Sequence, residues 1–294
     1  MIVVEKMGAR RPLSRGILAQ SIAATGLRLD RTYELALEIY GDLERQRRAT
    51  ISSQELEELV CHKLVERGLE REERFYRVHE ALKHRKKPMM ILFGGGTGVG
   101  KSTLAAELGH RLGISMVVST DTVREIMRSM VSSSLVPTLH QSTFTVDEVA
   151  PSPLTEDPLI RGFDRQVSMV CAGLRAVMER GITECVDMVL NGVHLVPGYV
   201  DVDRARREAY LFFYVLALED LEEHEERFLR RAERTLRAAD QYLKRMDKIR
   251  RIQEFILERA RGEEVRILPD APVGASVRHI IRDMLTSLEK EVLP

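Results

Sequence analysis

Eight consecutive residues carry the strongest chemistry in this 294-residue chain: Gly95, Gly96, Thr97, Gly98, Val99, Gly100, Lys101 and Ser102, in the pattern G-x-x-x-x-G-K-[ST]. The glycines let main-chain N–H groups turn inward and come close to a phosphate. Lys101 supplies a compact cation for the β- and γ-phosphates, and the Ser102 hydroxyl is a ligand for Mg²⁺. A helix opening at Ser102 would aim its positive end at the same anion. The flanks fit as well. Met89–Phe93 is an apolar run of strand length and Ser102–Leu112 is amphipathic, which is the context that separates a phosphate loop from a chance glycine-rich turn. Gly95 through Thr103 are therefore expected to hold a nucleoside triphosphate, with Lys101 active in catalysis and Ser102 on the metal.

The receiving group must come from the residues after the other strands, because ligands of an open parallel sheet bind at the carboxyl ends of its strands. After the second strand comes Ser119-Thr120-Asp121, with Arg124 and Arg128 one turn apart on the next helix. Asp121 is placed to orient a substrate hydroxyl or accept its proton; the competing role is a helix N-cap. Arg124 and Arg128 offer two guanidinium forks, which suit a small substrate carrying phosphate or carboxylate. After the third strand come Asn191, Gly192 and His194. Asn191 occupies the place where an acidic residue often holds a metal-bound water, and Asp187 lies too far inside the strand to replace it. His194 and His140 are further contacts for an anionic substrate, or loop histidines bonded to backbone. Beyond the fourth strand, Arg227, Arg230, Arg231, Arg234 and Arg237 recur at helical spacing. An arginine over the γ-phosphate offsets charge that develops during transfer, and a closing helical lid excludes water. Arg231 is the one assigned to catalysis.

These groups need a frame, and the sequence implies one. Residues 1–87 read as a small, mostly helical domain. Its helices are Ser14–Gly26, Arg31–Arg47, one capped by Ser52 or Ser53, and Arg71–His84; the basic run Lys83–Pro88 ends it. Residues 88–294 alternate strands (Met89–Phe93, Ile114–Ser119, Ile182–Leu190, Ala209–Ala217, Val265–Leu268) with helices (Ser102–Leu112, Thr122–Val131, Ile160–Arg180, a broken Leu221–Arg261, Ala275–Leu288). That alternation predicts an α/β domain with a five-stranded parallel sheet in three layers and a helical lid. Pro151, Pro153 and Pro158 punctuate an irregular stretch expected to cover the site. Lys+Arg and Asp+Glu are both 45, so the balance argues against a broad nucleic-acid footprint and leaves room only for a local basic patch. Three scattered cysteines fit a reducing, cytoplasmic compartment, and no apolar run is long enough to span a membrane. A homo-oligomer stays open.

Taken together, "RRPLSRGILAQSIAATGL", "GGTGVGKST", "VSTDTVREIMR", "LHQSTF", "GVHLVPG" and "YLKRMDKIRRIQEFI" resemble archaeal-type 2-phosphoglycerate kinase over nearly the whole chain. The resemblance implies transfer of phosphate from ATP, with Mg²⁺, to the 3-hydroxyl of 2-phosphoglycerate. The product is 2,3-bisphosphoglycerate, on the way to cyclic 2,3-diphosphoglycerate. It also implies that the N-terminal residues are similar to the ATP-cone, with Lys6, Arg10, Arg11 and Arg15 as phosphate contacts, although the usual Lys-Arg pair is not intact at Glu5-Lys6-Met7. A further departure is Asn191, where the family implies Glu. Two other readings fit the residues: a P-loop kinase of another small hydroxylated acceptor, and an ATP-responsive regulatory protein without turnover.

Overall fold

In the computed structural model, which describes residues 2–6, 9–83, 86–149, 157–233 and 239–292, the chain divides into two units, each described by itself. The first comprises Met1–Arg85, His110–Gly113 and Val273–Pro294. Strands β1 (Val3–Lys6), β2 (Ala9–Pro12) and β3 (Thr50–Ser52) form a small sheet in the order β2-β1-β3. Helices α1 (Arg15–Ala23), α2 (Leu29–Arg45), α3 (Ser53–Glu66) and α4 (Glu70–Leu82) surround a core of Leu18, Ile22, Leu35, Ile39, Leu43, Val60 and Leu64. The spacing of Leu35, Ile39 and Leu43 is the helical face the sequence displayed. The pattern of residues 1–87 does not display these three strands, because segments of three or four residues carry little alternation.

Ser52 starts α3 with a full capping box. Its hydroxyl accepts from the Glu55 amide at 3.1 Å, and the Glu55 carboxylate accepts from the Ser52 amide at 2.9 Å. The amide bonds and Arg48 hold the Glu55 carboxyl below its usual range.

The second unit comprises Lys86–Gly109 and Ile114–Pro272. It holds a five-stranded, all-parallel sheet in the order β5-β6-β4-β7-β8: β4 (Met89–Gly95), β5 (Met116–Ser119), β6 (Met188–Asn191), β7 (Tyr210–Leu216) and β8 (Arg266–Leu268). The central strands β4 and β6 are buried along their whole length, as the continuous apolar runs require. Between the strands lie α5 (Lys101–Leu112), α6 (Thr120–Met130), two 3₁₀ turns (Pro137–His140 and Thr143–Glu148), α7 (Pro158–Thr183) and α8 (Asp203–Glu208). After β7 come α9 (Leu221–Ala232), α10 (Asp240–Leu243) and α11 (Met246–Gly262), and after β8 comes α12 (Val273–Val292), which belongs with the first unit. Met90, Leu92, Met188, Leu190 and Val215 share one core with α7 and α11.

One strand starts later than its apolar pattern suggests. Ile182 and Thr183 complete α7, and the chain turns through Cys185 at φ 52° before β6 begins at Met188. Asp187 sits at that end of the strand, where its carboxylate accepts from the Met89 amide at 2.7 Å, remote from phosphate chemistry. Pro158 opens α7 behind an Asp157 cap. Pro151 and Pro153, Arg234 and Arg237, and His84 and Arg85 lie outside the described residues.

Substituting Ser52→Ala removes the hydroxyl that holds the Glu55 amide. The expected result is a loss of about 1 kcal/mol of stability and faster exchange of the Glu55 amide hydrogen, read by hydrogen-exchange mass spectrometry. Unchanged exchange across α3 would show that the box is dispensable.

Candidate active site

The end of β4 and the start of α5 set the site. Gly94 and Gly95 continue the strand, the chain turns through Gly98 and Gly100 at φ 89° and 94°, and α5 begins at Lys101. Gly98 is required twice over. Its backbone is left-handed, and a Cβ there would lie 2.7 Å from the Phe228 ring and 2.9 Å from His224 Nε2. The Lys101 ammonium is buried and donates to the loop's own Gly96 carbonyl at 2.5 Å. Burial lowers its pKa to about 8; Asp121 pulls it back up, and Arg231 pushes it further down. Asp121 and Arg231, from two other parts of the sequence, therefore each lie within electrostatic reach of Lys101.

Ser102 faces β6. Its hydroxyl donates to Asn191 Oδ1 at 3.0 Å, and the Asn191 amide donates to the Val118 carbonyl at 3.3 Å, which fixes which way the side chain points. Two oxygen donors thus lie side by side at the ends of α5 and β6. Hard oxygen donors of this kind suit Mg²⁺, which arrives with its nucleotide and retains several waters. Among the described residues no cluster of three or more His, Cys, Asp or Glu forms a metal cage of the protein's own.

On the β5 side, the N-cap of α6 is Ser119, whose hydroxyl accepts from the Asp121 amide at 3.1 Å. The Asp121 carboxylate is therefore not needed as the cap and lies exposed in the first turn. Arg124 donates to the Gln141 carbonyl, while Arg128 is paired with Glu125 of the same helix at 2.9 Å. His140 bonds the Val131 carbonyl at 2.8 Å. His194 is fully buried; its ring nitrogens meet Thr120 Oγ1 at 2.9 Å and Gln166 Oε1 at 3.2 Å. The structure thus puts His140 and His194 to use in binding the protein's own groups. Gly192 lets the β6 loop lie against Thr120, since a Cβ there would fall 1.8 Å from Thr120 Oγ1.

On the β7 side, α9 reaches the phosphate loop directly. His224 is buried and bonds the Thr97 carbonyl at 2.7 Å, and Arg227 donates to the Val99 carbonyl at 3.3 Å and pairs with Asp270 at 2.7 Å. The His224 ring stacks on Phe228, Phe228 stacks on Tyr242 with centroids 4.6 Å apart, and the Arg231 guanidinium lies 5.9 Å from the Tyr242 ring. Burial holds the His224 imidazole below its ordinary pKa. Gln253 of α11 packs its Cβ against Gly96 and donates to the Leu218 carbonyl at 2.8 Å. His224, Arg227 and Gln253 were not singled out as contacts of the loop in the sequence. For the first two a signal was present: His224, Arg227, Phe228 and Arg231 fall at i, i+3, i+4 and i+7 in an otherwise acidic and basic helix, the mark of one inward face.

Comparison with known proteins adds the lineage. The family described as "ATP cone domain" matches residues 1–85. The 2-phosphoglycerate kinase of Thermococcus kodakarensis is 38% identical over 96% of this chain and 95% of its own. That of Pyrococcus furiosus is 37% identical over 96% and 93%, and that of Methanopyrus kandleri 36% identical over 95% and 85%. With the phosphate loop, the parallel sheet and relatives of this closeness over nearly its full length, the chain belongs to the 2-phosphoglycerate kinase family.

Proposed function

We propose that this chain transfers the γ-phosphoryl group of ATP to the 3-hydroxyl of 2-phosphoglycerate, giving ADP and 2,3-bisphosphoglycerate. The single observation that carries the chemistry is the buried Lys101 ammonium held on its own glycine-rich loop at the end of β4, with Asp121 from the acceptor side and Arg231 from α9 near enough to act on its charge. The acceptor's name comes from the relatives.

In the transfer, the acceptor hydroxyl oxygen bonds to the γ-phosphorus while the bond from that phosphorus to the bridging oxygen of ADP breaks. Asp121 orients the hydroxyl and takes its proton. The main-chain amides of 95–103 hold the phosphates, and Lys101 leaves the Gly96 carbonyl to neutralise them. Arg231 offsets the charge that builds on the transferred group. Ser102, with Asn191 beside it, would hold Mg²⁺, which would supply charge neutralisation to the phosphates. Asn in place of an acid keeps an oxygen in that position without adding negative charge. The phosphate and carboxylate of the acceptor fall to Arg124 and Arg128, whose forks match both groups. The histidines contribute indirectly: both ring nitrogens of His194 are held within the protein, and His140 Nε2 is held by the Val131 carbonyl. Three unpaired cysteines, two of them buried, fit a reducing cytoplasm. No helix among the described residues is long and apolar enough to cross a membrane.

Three outcomes are expected. A coupled assay with Mg-ATP and a panel of phosphorylated hydroxy acids should give ADP with 2-phosphoglycerate and none with Lys101→Ala; turnover confined to another acceptor would overturn the substrate. Asp121→Asn should lower kcat by about a hundredfold or more while the Kd for ATP stays near wild type, and Arg124→Ala should raise the acceptor KM about tenfold. Unchanged constants would remove these residues from their roles. The third outcome concerns pH. Lys101 is charged below about 8 in the free protein, and a bound polyanion raises that value. ATP affinity is then constant below pH 8 and falls about tenfold per pH unit above it, measured by titration calorimetry; a flat profile to pH 9.5 would contradict the buried-ammonium assignment.

A further inference from the structure

Behind the acceptor side runs a chain of buried polar groups that the reaction itself does not require. Gln166 lies in the middle of α7 and is fully buried. Its Nε2 donates to the Thr138 carbonyl at 2.5 Å and to the Gln141 carbonyl at 2.9 Å. Both acceptors are backbone oxygens, so the amide orientation is fixed and Oε1 must be the atom that faces His194 Nε2, 3.2 Å away. An amide oxygen only accepts, so His194 Nε2 carries a hydrogen. The other nitrogen, Nδ1, is 2.9 Å from Thr120 Oγ1 and is left as the acceptor, with the Thr120 hydroxyl as donor. Every group in the chain is satisfied by one arrangement of protons, and that arrangement is a neutral imidazole with its hydrogen on Nε2.

We infer that Gln166, acting through His194, is a positioning residue for the acceptor side of the site. The chain links the two pieces of structure that present the acceptor's contacts. At one end Thr120 is the residue before Asp121, at the start of α6. At the other, the Gln141 carbonyl held by Gln166 is also the acceptor for Arg124. One buried amide therefore sets both the turn that carries the hydroxyl-orienting carboxylate and the backbone oxygen that aims the guanidinium. The neighbouring steric fit supports this: Gly192 leaves room for Thr120 where any side chain would collide with it, so the separation of the β6 loop and α6 is set closely.

The charges around His194 reinforce its neutral form. Burial acts first, Asp121 opposes it, and Arg124 and Lys101 add to it, placing the pKa at about 4. The Cys171 thiol, which burial keeps protonated, faces the His194 carbonyl at 3.7 Å. A protonated His194 would have to donate from Nδ1 as well. The Thr120 hydroxyl would then become the acceptor and its hydrogen would need a new partner.

This inference rests on the acceptor reading above for its kinetic consequence, and its proton arrangement is measured separately. Long-range ¹H–¹⁵N NMR of the full-length labelled protein, with His194→Gln to assign the signals, should show a neutral, Nε2-protonated ring between pH 5.5 and 8. An Nδ1-protonated ring, or an imidazolium at neutral pH, would overturn the chain as drawn, and this readout needs no turnover. For the kinetic part, Gln166→Leu should raise the acceptor KM or lower kcat, by about ten- to a hundredfold, through misplacement of Asp121 and Arg124, with the Kd for ATP close to wild type. Gln166→Glu keeps the shape but loses both donors and invites a proton onto the imidazole. Its turnover should acquire a pH dependence between 6 and 8 that wild type and His194→Gln both lack. Wild-type acceptor constants in both Gln166 variants would refute the positioning role. Equal losses of ATP and acceptor binding would refute it too, marking Gln166 as a general stabiliser. Should wild type itself fail on 2-phosphoglycerate, the acceptor reading falls, and the NMR result still decides the chain.

Discussion

A buried ammonium ion is the constraint around which the second unit is organised. Removing a charge from water costs several kcal/mol unless something nearby replaces the lost solvation. For Lys101 the replacement is a carbonyl of its own loop and an acid across the site. That arrangement is only partly satisfying, as the pKa of about 8 records. In the reading proposed above a triphosphate would complete it, coupling nucleotide binding to relief of a desolvated cation.

The two sides of the site reach the loop by different means. The β7 side is held by α9, where His224 and Arg227 take loop carbonyls and a ladder of rings carries on to Arg231. Those carbonyl contacts leave the loop amides free for phosphate. The β5 and β6 side is held by side-chain bonds among α6, α7 and the turn at 137–141. At and just past the end of β6, Asn191 and His194 stand three residues apart and face different partners. Asn191 turns to Ser102; His194 turns to the interior.

The parallel sheet, the phosphate loop and the charged groups nearest to it were legible in the sequence because each rests on local pattern. A strand buried on both faces shows as an apolar run, and a phosphate loop shows as glycines at fixed offsets. Asp121 stands out because it follows a strand end, which is where ligands of a parallel sheet bind. What escaped depends on tertiary partners. Nothing local distinguishes His194, buried on Thr120 and Gln166, from a histidine at the surface of a loop, and Gln166 reads as an ordinary helical polar residue. The three short strands of the first unit are stabilised by pairing with one another rather than by any alternation of their own. A cap at Ser52 or Ser53, by contrast, was legible because a capping partner lies a few residues away in sequence, and the structure selects Ser52 with Glu55.

The most direct measurement is a crystal structure with a non-hydrolysable ATP analogue, Mg²⁺ and 2-phosphoglycerate bound together. The Lys101 ammonium should have left the Gly96 carbonyl for the β- and γ-phosphates, with the acceptor's 3-hydroxyl against Asp121 and its anionic groups on Arg124 and Arg128. A ternary complex in which Lys101 still sits on the Gly96 carbonyl, or in which the acceptor hydroxyl points away from Asp121, would contradict the account.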